Sequence, residues 1–311
     1  MAGQDGRGDP GHGGKAGVTM NTTPSLPVGI HENVPFETYC RLPYLNHSAL
    51  KAMDKSPRAF KHALEHSSEP NDGQRLGTGL HALVLEPERL ADMLIDPPIN
   101  PKTGKAYGSD TNAWAEYAAS HPGKLILSAE ERERLNLMVK SLHANPLIRE
   151  HLEAPARHIE ETMIWDCPLT GMRCKGRVDL RHVGVARLDV KSSRSGIDPQ
   201  TFRSTLIRFG YHTQDAFYAI GASVLNLPEK HHYIAAVESE GDHDSALYEI
   251  DDATRSLAIS IVTGWLKTVK SCRDNCFWPG VQRDATTPLM IGAPLWYMQK
   301  WNDGEVGDVA A

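Results

Sequence analysis

Cysteine is scarce in this chain, with five residues among 311. Such an odd and sparse set argues against a disulfide framework. Cys40, Cys272 and Cys276 are too few to supply the four thiolates that an iron–sulfur cluster needs. We therefore expect the cysteines to have structural roles.

Long apolar segments are also absent. No run approaches the roughly 18 apolar residues of a membrane-spanning helix, and the N-terminus has Gly, Asp and His where a leader peptide would be apolar. Residues 1–19 are rich in glycine and poor in large apolar side chains, so they cannot offset the entropy lost on ordering. We expect a cytoplasmic protein without membrane contacts, a disordered tail over 1–24 and a flexible C-terminus over 304–311. Translation could start at Met1 or at Met20.

The chain also lacks an overall positive charge, because 33 basic residues are outnumbered by 39 acidic ones and the net charge is −6. That balance alone speaks against a nucleic-acid partner. Between Arg173 and Arg208, however, nine basic residues accompany three acidic ones. Either these charges are scattered and solvated, or they form a positive stripe that attracts phosphate to one face of an acidic body.

The most informative segment is Gly176-Arg177-Val178-Asp179, followed by Asp189-Val190-Lys191. In a β-strand, residues i and i+2 point to the same face, so Asp189 and Lys191 would project together, about 6.5–7 Å apart at their Cα atoms. Asp179, on the preceding strand, would add a second carboxylate. Carboxylates that hold a hard divalent cation beside a positive group are what phosphodiester hydrolysis needs. The alternative is an exposed ion pair of little energetic value.

The pattern of elements predicts an α/β fold. Helix starts at Asn46, Ser56 and Ser128 indicate that residues 25–150 are mainly helical. Residues 151–303 add a meander of strands and further helices, which favours a central mixed sheet flanked by helices. We expect one domain over 25–303. The predicted strands are 157–165, 173–180, 183–190 and 232–239, and the predicted helices include 201–207, 211–225 and 252–269.

One predicted helix carries an amide and two phenols at helical spacing. Tyr211, Gln214 and Tyr218 share one face of the helix that follows the acidic strands. They could orient a phosphate or a base beside a metal ion. The alternative is ordinary core packing of an aromatic stripe.

Two further positions are candidates for the same site. His81 lies in the apolar segment Leu76–Leu85 and is either a metal ligand or a core histidine. Glu160 and Glu161 precede the apolar part Thr162–Trp165 of the predicted strand 157–165, and alternation makes them face opposite sides without telling which one faces the metal.

Several segments, in order, resemble a known family. The chain is similar to the RecB-like branch of the PD-(D/E)XK nuclease superfamily, and within it to the exonuclease domain of the RecE (exodeoxyribonuclease VIII) type. The matching segments extend from about residue 28 to 301 and are SALKAM, SPRAF, GTGLHALVLEPE, TGMRCKGRVDL, LDVKSS, GYHTQDAFY and WPG. The resemblance implies a PD-(D/E)XK restriction-endonuclease-like core with a helical N-terminal region.

The resemblance also implies roles for individual residues. His81, Asp179, Asp189 and the Val190 backbone carbonyl would bind Mg²⁺ or Mn²⁺, and Lys191 would position water and stabilise developing charge. The family's upstream glutamate matches Glu160 best, with Glu161 left open. The family's Q-x(3)-Y helix motif matches Gln214 and Tyr218. We expect the following residues to contact DNA as well: Tyr211, Ser192, Arg177, Lys102 and Lys105.

RecE-type enzymes resect duplex DNA from its ends in the 5′ to 3′ direction, form rings and work with a single-strand annealing protein in phage-type recombination. The resemblance therefore implies a Mg²⁺-dependent exonuclease and a homo-oligomer. Two alternatives stay open: a structure-specific or single-strand endonuclease of the same fold, and a catalytically silent DNA-binding protein.

Overall fold

A six-stranded mixed sheet forms the centre of the fold. The computed structural model describes residues 24–66, 72–88, 93–283 and 286–302. The strand order is β1-β4-β5-β6-β7-β8, and β6–β7 is the parallel pair among antiparallel neighbours. Two short strands, β2 and β3, pair separately. The strands are β1 Gly29–His31, β2 Leu94–Ile95, β3 Leu125–Ile126, β4 Arg157–Asp166, β5 Arg173–His182, β6 Ala186–Ser193, β7 His231–Glu238 and β8 Ser245–Glu249.

The meander of β4, β5 and β6 confirms the predicted antiparallel arrangement. Gly171 and Gly184 have φ angles of +66° and +75°, which the two reversals require and which glycine adopts without steric cost. The prediction that the third strand begins at Val183 was wrong. Residues 183–185 form the turn around Gly184, so β6 begins at Ala186.

The helices lie between and beside these strands, and most of the predicted starts are confirmed. Ser56 accepts the Ala59 N–H with Pro57 in the first turn, and Ser128 forms a capping box with Glu131. The helices are α1 Phe36–Arg41, α2 His47–Leu50, α3 Pro57–Glu65, α4 Asp72–Leu85, α5 Asn112–Ser120, α6 Ala129–Ala144, α7 Pro146–Leu152, α8 Pro199–Phe209, α9 Tyr211–Val224, α10 Asp252–Asp274 and α11 Leu295–Asn302. The sequence reasoning did not predict the helices α1, α5, α7 and α11 or the strands β1, β2, β3 and β8.

Helices cover both faces of the sheet. Because side chains alternate along β7, Ala235 and Val237 pack with α4 and α6, whereas Ile234 and Ala236 pack with Phe202 of α8. A further core joins α3, α9 and α10 to β4, with Trp165 fully buried in it. The connection between the parallel strands β6 and β7 runs through α8 and α9, as a parallel pair demands. The mixed sheet with flanking helices agrees with the predicted α/β architecture.

The two termini fall largely outside this description. The predicted disordered tail over 1–24 and flexible segment over 304–311 lie outside the described residues, apart from Pro24. Among the helices that the structure describes, none combines the length and apolar character needed to cross a bilayer.

Candidate active site

The candidate site lies where β5 and β6 separate. Their ladder ends at the pair Leu180–Leu188, so the next positions, Asp179 and Asp189, face each other without backbone pairing. The Val190 N–H donates instead to Asp179 Oδ2 at 2.8 Å. A side-chain oxygen of Asp179 therefore accepts the hydrogen bond that a backbone carbonyl would accept in a continuous ladder. From this point on β5 and β6 are not paired, and we call the place where they separate the opening of the sheet.

His81 reaches the opening from α4. Its Nε2 lies 2.8 Å from the Val190 carbonyl oxygen, and since a carbonyl only accepts, Nε2 carries the proton. Nδ1 then turns toward two carboxylates, 3.5 Å from Asp179 Oδ2 and 4.0 Å from Glu160 Oε1. These separations are long for hydrogen bonds. They suit ligand atoms of one cation, which lie about 3–4 Å apart when each is about 2.1 Å from the ion.

Glu160 is held in an uncommon conformation beside this histidine. Its φ is +54°, a left-handed value that costs a non-glycine residue about 1–3 kcal/mol. The Arg177 guanidinium binds its carboxylate, donates to the Val34 carbonyl at 2.7 Å and lies against the rings of Phe36 and Tyr39. Arg177 is thus buried beneath Glu160 and fixes its position. The expected contact of Arg177 with DNA stays a prediction.

Glu161, the alternative to Glu160, lies elsewhere. Its carboxylate is buried and binds Arg181 at 2.5 and 3.0 Å. With Glu32 and His158 it forms a second group of potential metal ligands. Arg181 binds both oxygens of Glu161. Arg177, by contrast, binds only Oε2 of Glu160 and leaves Oε1 facing His81, so the second group is the weaker candidate. The structure places Glu160, and not Glu161, beside His81.

Asp189 and Lys191 form the other half of the site. They share the face of β6 that looks toward α8 and α9, and Lys191 Nζ lies 2.5 Å from Asp189 Oδ2. The Gln214 amide donates to Asp189 Oδ1 at 3.2 Å, and the Tyr211 ring centroid lies 5.0 Å from the Lys191 ammonium. Both oxygens of Asp189 are therefore engaged. The three atoms within ligand distance of one another belong to His81, Glu160 and Asp179.

The pKa shifts in the site agree with a separation between the group of His81, Glu160 and Asp179 and the Asp189–Lys191 pair. Burial raises the pKa of Asp179 to about 7, with Asp189 and Glu160 adding to the shift and His81 and Lys191 opposing it. Burial alone would lower the pKa of Lys191, but the charges of Asp189 and Asp179 outweigh it and the pKa rises. Lys191 is therefore a permanent cation, whereas Asp179 is a carboxylate that a divalent cation would stabilise.

The other residues predicted to contact DNA differ in how exposed they are. Tyr218 is half-buried, and its hydroxyl accepts the Arg177 N–H at 3.4 Å. Ser192 is half-buried, next to Lys191 on β6. Lys102 and Lys105 are exposed on the loop between β2 and α5. Their contacts with DNA stay predictions, as does metal binding by the Val190 carbonyl, which His81 occupies here.

The donor set fits a hard divalent cation. Two carboxylate oxygens and one imidazole nitrogen suit Mg²⁺ or Mn²⁺, and the imidazole is compatible with Zn²⁺ as well. Neither group of potential metal ligands in the described part of the chain contains a cysteine. Sequence reasoning did not reveal that Arg177 positions Glu160. The partners of Arg177 at Val34 and Glu160 lie on other elements, and no local pattern reveals them.

Comparisons with known proteins bear on the fold. The sequence pattern of a family described as PDDEXK-like domain of unknown function (DUF3799) matches residues 46–285. A crystal structure of a candidate exonuclease from Eubacterium rectale is similar, with a TM-score of 0.56 at 12% identity, covering 86% of this chain and 98% of that one. Among curated proteins, none matches the chain. The expected PD-(D/E)XK-like fold is confirmed, and the closer resemblance to RecE-type enzymes stays a prediction.

Proposed function

The chain belongs to the PDDEXK-like family DUF3799, and from that premise we propose that it is a divalent-metal-dependent deoxyribonuclease. One observation carries the proposal: His81, Glu160 and Asp179 converge on one point at the opening of the sheet, and the Asp189–Lys191 pair lies beside them. A surface ion pair would not need a buried carboxylate with its pKa near 7 or a strained glutamate.

The side chains divide the work between them. His81, Glu160 and Asp179 would hold the cation, which when bound polarises a phosphate and lowers the pKa of water. Lys191 offsets the negative charge that grows on the phosphate oxygens. Asp189 holds that ammonium in place, and Gln214 in turn orients Asp189.

The finer activity that we propose is 5′ to 3′ exonuclease action on duplex DNA ends. The similarity of the sequence motifs to RecE-type enzymes supports it. Wild-type protein with Mg²⁺ should shorten end-labelled linear duplex and release label from the 5′ end first. An Asp189→Ala variant should leave the same substrate intact, and cleavage undiminished by that change would refute the assignment.

Closed circular DNA separates this proposal from its alternatives. An end-dependent enzyme leaves the circle intact, whereas an endonuclease of the same fold opens it. A catalytically silent DNA-binding protein would retain duplex without turnover in either Mg²⁺ or Mn²⁺.

We also propose that the protein forms a homo-oligomer, as the resemblance implies. Large apolar side chains are exposed in the C-terminal segment 289–298, where Met290 and Ile291 are 97% and 96% exposed. Together these side chains offer on the order of 900 Å², comparable to the ~800 Å² that each partner gives to a standard interface. A second copy of the chain is the occupant we favour. Light scattering of Met290→Ser and Ile291→Ser variants should report a smaller mass than wild type, and a monomeric wild type would refute the proposal.

A further inference from the structure

An exposed aromatic ring lies at the end of α8, next to the candidate site. Phe209 is the last residue of that helix and is 48% exposed. Gly210 follows it with φ +73°, a left-handed cap that ends α8 and immediately starts α9. The chain therefore leaves Phe209 at the surface while Tyr211, two residues later, turns toward the site.

The ring is connected to the catalytic ammonium by aromatic stacking. Phe209 and Tyr211 lie with centroids 5.8 Å apart and planes 17° from parallel. The Lys191 ammonium lies over the same Tyr211 ring at 5.0 Å. Phe209 is thus separated from Lys191 by a single aromatic ring, so a nucleotide whose phosphate meets Lys191 would have its neighbouring base within reach of Phe209.

Two cations flank the ring. Lys51 donates to the carbonyls of Arg208 and Phe209 at 3.3 and 2.6 Å, and its ammonium lies 6.0 Å from the Phe209 centroid. The Arg208 guanidinium lies 5.4 Å from the same centroid. Lys51 therefore fixes the end of α8 and keeps positive charge beside the ring. An aromatic face bordered by cations is how proteins bind single-stranded nucleic acid, with the base on the ring and the phosphate on the charges.

We propose that Phe209 is a stacking platform for the nucleobase next to the scissile phosphate, with Lys51 and Arg208 holding the adjoining backbone. This inference rests on the proposed nuclease function and extends it, because it names the nucleobase as the group recognised outside the metal site. A single exposed phenylalanine is ordinary on a protein surface. This one is distinguished by its stack on Tyr211 and by the two cations at its border.

Equilibrium binding of the full chain to DNA in EDTA tests the platform. The substrates carry the fluorescent base 2-aminopurine at the 5′ end, either in a blunt duplex or in an unpaired overhang. Phe209→Ala should weaken binding about tenfold and remove the fluorescence change, as expected for one stacked base. Phe209→Trp should retain both. Phe209→Leu, which is apolar but has no π face, should behave like the alanine variant.

Ile207→Ala is the matched control, because Ile207 is 53% exposed on the same helix. It should bind like wild type, and melting curves should show every variant folded. A fluorescence change with either substrate, the blunt duplex or the overhang, supports the platform. The substrate that gives the larger change shows whether the stacked base is paired. If wild type still cuts DNA, two results would overturn the platform and leave the proposed function standing. One is a Phe209→Leu variant that binds DNA like wild type. The other is an Ile207→Ala variant that loses as much DNA binding as Phe209→Ala. A wild type that neither binds nor cuts DNA would overturn the proposed function as well as the platform.

Discussion

Replacing Asp179 by Asn should stabilise the protein when no divalent cation is present. The Asp179 side chain is buried between Glu160 and Asp189, and each of these carboxylates makes its ionisation less favourable. Asn keeps the shape and an oxygen that can accept the Val190 N–H, but it removes the charge. The substitution therefore measures how much the buried charge of this carboxylate lowers the free energy of unfolding when no cation is bound.

The sign and size of the effect follow from the pKa. An aspartate has a pKa of 3.8 in the reference state and about 7 at this position. The folded protein thus holds more protons than the unfolded chain between these values, so the free energy of unfolding falls as pH rises through that window. At about 1.4 kcal/mol per pKa unit, the upper bound is about 4 kcal/mol. Relaxation of the metal-free site reduces that bound, so we expect about 2 kcal/mol, or about 4 °C in Tm.

Scanning calorimetry in EDTA would measure this difference in Tm between the variant and wild type. Asp179→Asn should melt higher than wild type well above pH 7, and the difference should shrink to less than about half near pH 5 and vanish only below about pH 3.8, where the unfolded chain is protonated as well. Excess Mg²⁺ should raise the Tm of wild type more than that of the variant. The control is Asp242→Asn, an exposed carboxylate, which should show no such pH dependence. A variant that melts lower than wild type at high pH in EDTA, or that gains equally at both pH values, would refute the reasoning.

Four other substitutions separate chemistry, ligation and packing. Lys191→Ala should reduce single-turnover cleavage at least about a hundredfold while cation binding persists, because the charge facing the phosphate is lost; an unchanged rate would remove Lys191 from the mechanism. Glu160→Gln should weaken Mn²⁺ binding about tenfold in calorimetric titration, since one ligand loses its charge, and an unaltered affinity would contradict its role. Gly221→Ala should lower the free energy of unfolding in urea by about 1–3 kcal/mol, because its Cβ would lie 2.9 Å from the Trp165 ring. Gly264→Ala has nothing within 4 Å and should raise it by up to about 1 kcal/mol; a loss at both positions would count against the packing argument.

The sequence predicts much of the meander of β4, β5 and β6 because its signals are local. Gly171 marks the first reversal, and strand alternation places Asp189 and Lys191 on one face, whereas Gly184 of the second reversal was assigned to a strand. Helix caps at Ser56 and Ser128 are equally local. The short edge strands β1 and β8 carry weaker patterns, since three to five residues on the border of a sheet show little alternation. They were accordingly missed.

The internal geometry of the site depends on contacts that no local pattern contains. His81 meets the Val190 carbonyl across 109 positions of sequence, and Arg177 meets the Val34 carbonyl across 143. The choice between Glu160 and Glu161 was open to sequence reasoning because strand alternation treats them symmetrically. It is decided by a left-handed backbone at Glu160 and by the Arg181 partner of Glu161, both of which are tertiary properties.

Three unfavourable features coincide in this one place. Glu160 has a strained backbone, Asp179 is a buried carboxylate flanked by two others, and the β5–β6 ladder stops where it could continue. Each lowers the free energy of unfolding, and none is relieved by an apolar contact. Such features persist only where the surrounding structure over-determines them, which the fully buried cores on both faces do here. Because a divalent cation would offset the first two directly, the same substitutions that stabilise the metal-free protein should be those that abolish its chemistry.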